Sequence, residues 1–254
     1  MRRIVIAGLT LATIVSLGYA GAVTQERRGN TASSMTTAAQ QWIESLGPDQ
    51  QETIGLAYDS PERVGWHFIP KAERKGLQLR DMDDAQRDAA YRLLRSCLSQ
   101  SGYGKATRVM AIEDLLHELE QGRGANIRDS VRYFFTVFGE VSEDSRWGLS
   151  IEGHHLSLNF VVEGDRVESM TPMFFGINPT VTNREFGTFR RGARVLAQEE
   201  LIAFELVQSL NDDQLQVARI AEAAPSDIRA AGETHPPTTE AEGIAFSDLD
   251  TPQQ

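Results

Sequence analysis

The stretch Trp147-Gly-Leu-Ser-Ile-Glu-Gly-His-His-Leu-Ser-Leu-Asn-Phe-Val-Val162 decides the fold class. Apolar side chains alternate along residues 147–151 and again along residues 156–162, which is typical of two strands that each bury one face. Gly153 lies between the two segments and predicts a turn. The aromatic and β-branched run at residues 133–138 predicts a buried strand just before them. Together these segments predict an antiparallel meander.

Helical patterns lie on both sides of this meander. Residues 105–121 precede it with apolar side chains at helical spacing, and a second group of helices begins at Ala197. Residues 167–175 predict one more strand, in which Pro172 indicates an edge or a bulge. The sequence therefore predicts an α+β protein, with helices flanking an antiparallel β-meander in a single main domain.

Four segments combine an apolar residue, a capping residue and a Gln three positions after the cap, which is the pattern of a helical capping box. The predicted caps are Gly47, Asp83, Asn211 and Asp250. Helical patterns follow the first three caps, over residues 48–58, 84–100 and 212–224. The fourth pattern has only Gln254 after its Gln, so we expect a C-terminal helix that is truncated. The alternative is a frayed acidic tail.

The composition excludes several classes of protein. The chain has 254 residues, of which 41% are hydrophobic and 24% charged, and this composition is typical of a globular protein. The 36 acidic and 25 basic side chains give a formal charge of −11, which argues against binding of nucleic acid phosphates. A single cysteine, Cys97, excludes an internal disulfide and a cysteine-based zinc knuckle.

The N-terminal segment has the pattern of an export signal. Arg2 and Arg3 precede an apolar run over residues 4–17 and a small-residue segment over residues 18–22. We expect a cleaved signal peptide at residues 1–22, a secreted or periplasmic protein, and no stable membrane span after cleavage. An uncleaved anchor is the alternative, since residues 4–23 suffice to span a bilayer. We further expect a flexible linker at 23–37, the α+β domain at 38–224, and at 225–254 an acidic linker with the start of the truncated helix.

The densest group of polar residues is Gly153-His-His-Leu-Ser-Leu-Asn159. If a strand begins at His154, alternation puts this side chain on the apolar face with Leu156. The opposite face then carries His155, Ser157 and Asn159. Neighbouring histidines on a strand point to opposite faces, so both bind one metal ion only if the turn at Gly153 breaks the alternation.

This segment supplies the candidate catalytic residues His154, His155, Ser157 and Asn159. One imidazole would act as a ligand of a divalent transition metal or as a general base, with Ser157 or Asn159 orienting it. His154 and His155 are the candidate metal ligands, and Trp147, Arg74 and Lys75 are the candidate ligand contacts. The competing interpretation is a solvated polar stripe beside a hydrogen-bonded His154.

Other polar residues give weaker signals. Glu113 and His117 are four residues apart on a predicted helix, a spacing that suits two metal ligands but also a solvated surface pair. His67 lies beside aromatic residues, which indicates structural packing. Arg190 and Arg191 form a second short basic loop, typical of surface charge. The chain contains no serine hydrolase elbow, Walker loop, dinucleotide fingerprint or His-Glu-x-x-His motif.

Three functions remain open at this point. The first is a hydrolase with a His-centred, metal-assisted site that acts on an external substrate. The second is a non-catalytic extracellular module that contacts a glycan or a peptide through the polar stripe, Trp147 and Trp66. In the third, the two histidines only satisfy buried backbone carbonyls. Converging imidazoles favour a ligand or catalytic site, and imidazoles that point to opposite faces favour the other two functions.

A series of short motifs runs through residues 45–224: Trp66-x-Phe68-x-Pro70, Arg74-Lys75-Gly76-Leu77, Ser99-x-x-Gly102-Tyr103, Arg128-Asp129 with Tyr133, Phe138-Gly139, Trp147-Gly148, Gly153-His-His-Leu-Ser-Leu-Asn159, Thr171-Pro172-x-Phe174-Phe175-Gly176 and Glu199-Glu200. This set resembles a family of exported proteins known as domain of unknown function 3500. The double-His segment is its most specific part.

The resemblance implies that this chain corresponds to the N-terminal two thirds of a longer protein. Family members continue from a helix that starts at the position of Leu249 into a C-terminal part with further His, Asp and aromatic positions. Such groups would complete a site with His154 or His155. The resemblance implies no particular reaction, and it assigns no catalytic residue.

Overall fold

The computed structural model describes residues 31–121, 123 and 128–254. The expected signal peptide at 1–22 and residues 23–30 of the expected linker lie outside the described residues. Residues 31–37 correct the expectation of a flexible linker, because they form the first turns of helix α1 (Thr31–Ser45). Ala32, Met35 and Thr36 of these turns are buried, and this burial holds the segment in a helix.

The strands of the described residues form one sheet. They are β1 (Gly55–Leu56), β2 (Leu77–Gln78), β3 (Phe134–Phe138), β4 (Arg146–Gly153), β5 (Leu156–Glu163), β6 (Arg166–Ser169) and β7 (Met173–Phe175). The strand order is β1-β3-β4-β5-β6, and β2 also pairs with β3 while β7 also pairs with β5.

The sheet is mixed, which corrects the expectation of an antiparallel meander. The strands β3, β4, β5 and β6 pair antiparallel in chain order, but β1 pairs with β3 in parallel. The parallel strand has only two residues and follows directly on a helix, so it has no alternation to read in the sequence. The α+β class itself is confirmed by one sheet together with several helices.

The other helices are α2 (Pro48–Ile54), α3 (Asp84–Cys97), α4 (Gln100–Leu119), α5 (Ala197–Ser209) and α6 (Asp212–Ala218). Helix α1 packs along α3 and also against β5, and α4 packs against α3 and β5. The core includes Trp42, Leu93, Leu94, Ile112, Phe135 and Trp147.

The capping boxes form as expected at the three internal positions. The side chains of Asp83 and Asn211 accept hydrogen bonds from the backbone N–H groups of Gln86 and Gln214, at 2.8 and 2.9 Å. The backbone N–H of Gly47, which has no side chain to accept, donates to Oε1 of Gln50 at 3.0 Å. Helix α2 ends at Ile54, earlier than the sequence predicts, because the next two residues pair with β3.

Pro172 divides the predicted strand 167–175 into β6 and β7, which both pair with β5. Its carbonyl accepts a hydrogen bond from Nδ2 of Asn159 at 2.9 Å. None of the described helices is both long and apolar enough to cross a membrane.

Candidate functional site

His154 and His155 form the turn of the hairpin between β4 and β5. Gly153 pairs with Leu156, so the two histidines are the residues that connect the strands. His155 has φ of 59°, in the left-handed region that non-glycine residues rarely adopt. The expectation that alternation separates the two side chains is wrong, because the turn ends the strand before His154. The imidazole rings stack instead, with their centroids 3.7 Å apart.

Three hydrogen bonds fix the backbone of this turn. The hydroxyl of Tyr133 donates to the carbonyl of His154 at 2.9 Å. The backbone N–H of His155 donates to the carbonyl of Phe68 at 2.8 Å, and the N–H of Gly176 donates to the carbonyl of His155 at 2.7 Å. Residues from separate parts of the chain therefore hold the two imidazoles in place, as a preorganised site requires.

Helix α4 brings a carboxyl group to the turn. Oε1 of Glu113 lies 2.7 Å from Nδ1 of His154, and the Glu113 side chain is only 1% exposed. One donor atom from each of Glu113, His154 and His155 lies within 4.8 Å of the others. His117, the expected partner of Glu113, does not belong to this group. The signal for Glu113 is its place among the apolar residues Ile112 and Leu116, where a charged side chain needs a partner.

Burial controls the protonation of this group of three residues. It raises the pKa of Glu113 to about 8, against the effect of the Arg128 charge, which lowers it. It lowers the pKa of His154 and that of His155 to about 4 each. At neutral pH both imidazoles are therefore uncharged and Glu113 keeps its proton. We infer that the Glu113 carboxyl donates this proton to Nδ1 of His154.

Arg128 places a fixed positive charge beside the three residues. Its Nη1 atom lies 3.4 Å from Nδ1 of His154. The Glu120 carboxylate accepts from Nε and Nη2 of Arg128 at 2.9 and 3.0 Å, which fixes the orientation of the guanidinium. Two polar atoms of the site have no hydrogen-bond partner among the described residues, Oε2 of Glu113 and Nδ1 of His155. Both atoms are buried, so each leaves its hydrogen-bonding capacity unused within the described residues.

Arg74 and Lys75, two of the expected ligand contacts, are buried in ion pairs. Their side chains are 4% and 8% exposed, and both pair with Glu152, with Nζ of Lys75 at 2.8 Å from Oε1. Arg74 also donates to the carbonyls of His67, Ile69 and Gly153. The two cations therefore fasten the segment 65–69 to the end of β4.

Ser157, Asn159 and Trp147 form no hydrogen bond with the histidines within the part of the chain that the structure describes. Asn159 accepts from Ser150 and donates to Ser157, both at 3.1 Å, so these side chains satisfy one another across β4 and β5. Neither Ser157 nor Asn159 has a hydrogen bond to an imidazole among the described residues. No contact therefore supports the expectation that they orient His154 or His155. Trp147 is fully buried in the core, which corrects the expectation that it contacts a ligand.

The comparisons with known proteins identify the family. A family model described as "Protein of unknown function (DUF3500)" matches residues 28–254. The chain belongs to the DUF3500 family. No curated protein and no solved structure matches this DUF3500 chain.

The DUF3500 chain has two cavities beside Trp66. One has a volume of about 430 Å³ and includes Asn159, Pro172 and Arg229 in its lining. The other has a volume of about 480 Å³ and is lined in part by Arg74 and Lys75. The second cavity is lined by Glu152 but by neither histidine of the turn.

Proposed function

We propose that this DUF3500 chain binds a divalent transition-metal ion through Glu113, His154 and His155 and is a metal-assisted hydrolase. The convergence of these three donors within 4.8 Å carries the proposal. Two imidazole nitrogens and one carboxylate oxygen are a set that catalytic zinc and iron sites use, and three protein ligands leave a position open for water or substrate.

The protonation of the site supports this proposal. Metal ligands must present lone pairs, and the lowered pKa values of His154 and His155 keep both imidazoles neutral at pH 7. If an ion bound to the Glu113 carboxylate, it would displace the proton of this group, which would be released to solvent. The unpartnered atoms Oε2 of Glu113 and Nδ1 of His155 would then gain a partner.

A substrate would approach the site from the surface at which His155 is partly exposed. Glu113 and His154 are buried, whereas His155 is partly exposed. A bound ion would polarise a water molecule or a substrate carbonyl at this open side. Arg128, whose orientation is fixed by Glu120, would attract an anionic group of the substrate and partly neutralise its negative charge.

A metal titration of the purified chain tests the proposal. We expect one equivalent of Zn²⁺ or Co²⁺ to bind, as measured by calorimetry and by the visible spectrum of the Co²⁺ form. Each of Glu113→Gln, His154→Ala and His155→Asn should weaken binding by more than the roughly 10-fold to 100-fold that loss of an outer-shell partner costs. His155→Asn is chosen because Asn accepts the left-handed backbone.

His117→Ala is the matched control, because His117 lies one turn after Glu113 on α4 but outside the group of three donors. This variant should bind the ion as the unchanged chain does. A chain that binds no transition metal, or one whose binding survives all three ligand substitutions, would contradict the metal site. Hydrolysis of the external substrate should require the ion and disappear in the same three variants.

A non-catalytic binding function has an observation of its own. Trp66 lies between two cavities of about 430 and 480 Å³, and its ring is 6.4 Å from that of Phe174. Such an aromatic surface suits the apolar face of a sugar ring or a peptide side chain. If the chain is a binding module, Trp66→Ala abolishes retention on glycan or peptide arrays, and His154→Ala does not.

We also propose export to a secreted or periplasmic location, which rests on the charge and hydropathy pattern of residues 1–22. N-terminal sequencing of the protein purified from its native host tests this step. A mature N-terminus after Ala20 or Ala22 supports export with cleavage, an intact Met1 in the exported fraction supports the uncleaved anchor, and a protein found only in the cytoplasm contradicts export.

A further inference from the structure

Residues 197–254 repeat the helices and helix starts of residues 31–87, without counterparts of β1, β2 and the 3-10 helix Pro61–Arg63. Helix α1 is followed after two residues by the seven-residue α2, and α5 is followed after two residues by the seven-residue α6. Further on, a short 3-10 helix precedes a capping residue in each segment, Leu79–Asp81 before Asp83 and Phe246–Asp248 before Asp250. A glycine with positive φ stands three residues before each 3-10 helix, Gly76 at 84° and Gly243 at 104°.

The side chains of the capping glutamines repeat as well. In the first segment the amide groups of Gln50 and Gln86 bond to each other, at 2.9 and 3.1 Å. In the second segment Gln214 and Gln253 bond to each other in both directions at 3.0 Å. In each segment this reciprocal pair joins two helix starts, which are 36 residues apart in the first segment and 39 in the second.

Each glutamine also donates to an equivalent carbonyl. Gln50 donates to Asp81 at 2.9 Å, as Gln214 donates to Asp248 at 3.1 Å. Gln86 donates to Ser45, the last residue of α1, at 3.0 Å. Gln253 donates to Ser209, the last residue of α5, at 2.7 Å. So many matching contacts at equivalent positions indicate a structural repeat.

The two segments differ in the burial of their first helix, because other described elements pack over the apolar side chains of α1 but not over those of α5. On α1, Trp42 is fully buried, and Ala38 and Ile43 pack against the core. The equivalent residues of α5 are Leu206, Ile202 and Val207, which we call the α5 face. These three side chains are 37%, 56% and 52% exposed. Among the described residues neither α5 nor α6 contains a buried one.

Helix α3 is a principal cover of α1 in the first segment. It begins at the Asp83 cap, and its first α-helical hydrogen bond runs from the N–H of Arg87 to the carbonyl of Asp83 at 2.9 Å. The same bond exists in the second segment, where the N–H of Gln254 donates to the carbonyl of Asp250 at 3.0 Å. A helix that continues from this point would cross α5 as α3 crosses α1.

We infer that residues 197–254 are the opening part of a second copy of the N-terminal unit, and that the α5 face is the docking surface for a helix equivalent to α3. The repeat implies the occupant, a helix that would follow Asp250 and continue past Gln254, as α3 follows Asp83. Three exposed aliphatic side chains at helical spacing suit a helix like α3, which packs along α1 and has the buried apolar residues Ala89, Ala90, Leu93 and Leu94.

The first turn of α5 departs from the repeat for a structural reason. Glu199 and Glu200 stand at the positions of Met35 and Thr36, and they pair with Lys105 and Arg194. The Glu199 pair attaches the start of α5 to α4, and the Glu200 pair is local to the segment before α5. The large apolar residues of α5 begin after this turn, at Leu201.

Hydrogen exchange on two proteins tests this inference, the chain ending at Gln254 and the product of the complete reading frame. We expect the amides of α5 to exchange at least about 100-fold more slowly in the longer protein, because the docked helix removes local opening. Leu206→Asp should abolish this protection in the longer protein. In the chain ending at Gln254 it should leave the melting temperature unchanged, because Leu206 is exposed there.

Glu205→Lys is the matched control, because Glu205 and its equivalent Gln41 are both exposed. This variant should leave the protection of α5 intact. A stop codon directly after Gln254, or equal exchange of α5 in both proteins, would overturn the inference. So would a dimer of the shorter chain that Leu206→Asp dissociates, since the occupant would then be a second copy.

Discussion

Gly153 lies directly against the ring of Tyr133, so that a Cβ atom at position 153 would be 2.2 Å from Cδ1 of the ring. The hydroxyl of the same Tyr133 donates to the carbonyl of His154 at 2.9 Å. One fully buried aromatic side chain therefore sets the position of the histidine turn from two sides. The geometry of the candidate metal site depends on this contact.

Gly153→Ala should lower the free energy of unfolding by about 1 to 3 kcal/mol, the usual cost of overpacking a core. The added methyl group must displace Tyr133 or the turn, so metal affinity should fall as well. Chemical denaturation and metal titration measure the two effects. Gly104→Ala is the control, because nothing lies within 4 Å of a Cβ atom there. A Gly153→Ala protein with unchanged stability would contradict this account of the turn.

Substitutions at His155 should separate backbone strain from metal binding. His155→Gly and His155→Val both remove the imidazole, but only Val is forced into the left-handed region with a β-branched side chain. We expect His155→Val to be less stable than His155→Gly by about 1 to 3 kcal/mol. Both variants should lose metal affinity to a similar degree. Equal stability in thermal and denaturant unfolding would show that the turn does not require this backbone conformation.

Glu113 should make the metal-free chain less stable as the pH rises from 5 to 8. The folded state holds the proton up to a pKa of about 8, whereas the unfolded state releases it near 4.5. The free energy of unfolding therefore falls with pH in this window, by up to about 1.4 kcal/mol per pH unit. Glu113→Gln should remove this component, as denaturant unfolding at several pH values would show. An identical pH profile in both proteins would contradict the raised pKa.

His154 and His155 should make the chain less stable as the pH falls, which is the opposite of the effect of Glu113. Their folded-state pKa values of about 4 lie below the ordinary value of 6.5, so stability falls as the pH drops from 6.5 towards 4. The double variant His154→Gln with His155→Asn should flatten this acidic limb in the same unfolding experiment. His235→Gln is the control, because His235 is exposed in a distant segment. If the double variant still loses stability between pH 6.5 and 4, groups other than these two histidines cause the loss.

Glu152→Ala should be strongly destabilising, because it leaves Arg74 and Lys75 buried without their carboxylate. Breaking a buried ion pair in this way costs about 3 to 5 kcal/mol. Glu163→Ala is the control, since its pair with Arg146 is about half exposed on both sides, and we expect a loss of about 1 kcal/mol or less. Equal losses in denaturant unfolding would show that Glu152 does not fasten the segment 65–69.

The sequence predicts those elements whose signals are local. Alternation locates β4 and β5, and the pattern of cap and Gln locates the starts of α2, α3 and α6. The parallel strand β1 could not be predicted, because two residues carry no periodicity and its partner Val137 is far away in the chain.

The candidate site was only half predictable for a similar reason. The sequence shows two adjacent histidines, but their approach depends on a turn whose left-handed residue is His155, where Gly or Asn would be the usual signal. Glu113 is 41 residues from His154, and its nearest candidate partner in the sequence was His117. The packing of α4 on the sheet, which no local pattern encodes, decides whether Glu113 pairs with His117 or with His154.

The left-handed backbone of His155 has an evolutionary consequence. Asn is one nucleotide change away from His and suits this conformation better, and Gly suits it best. Random mutation without selection for the imidazole would therefore replace this histidine with a residue that makes the protein more stable. A survey of natural variants at position 155 thus measures how strongly the organism depends on this side chain, before any substrate is known.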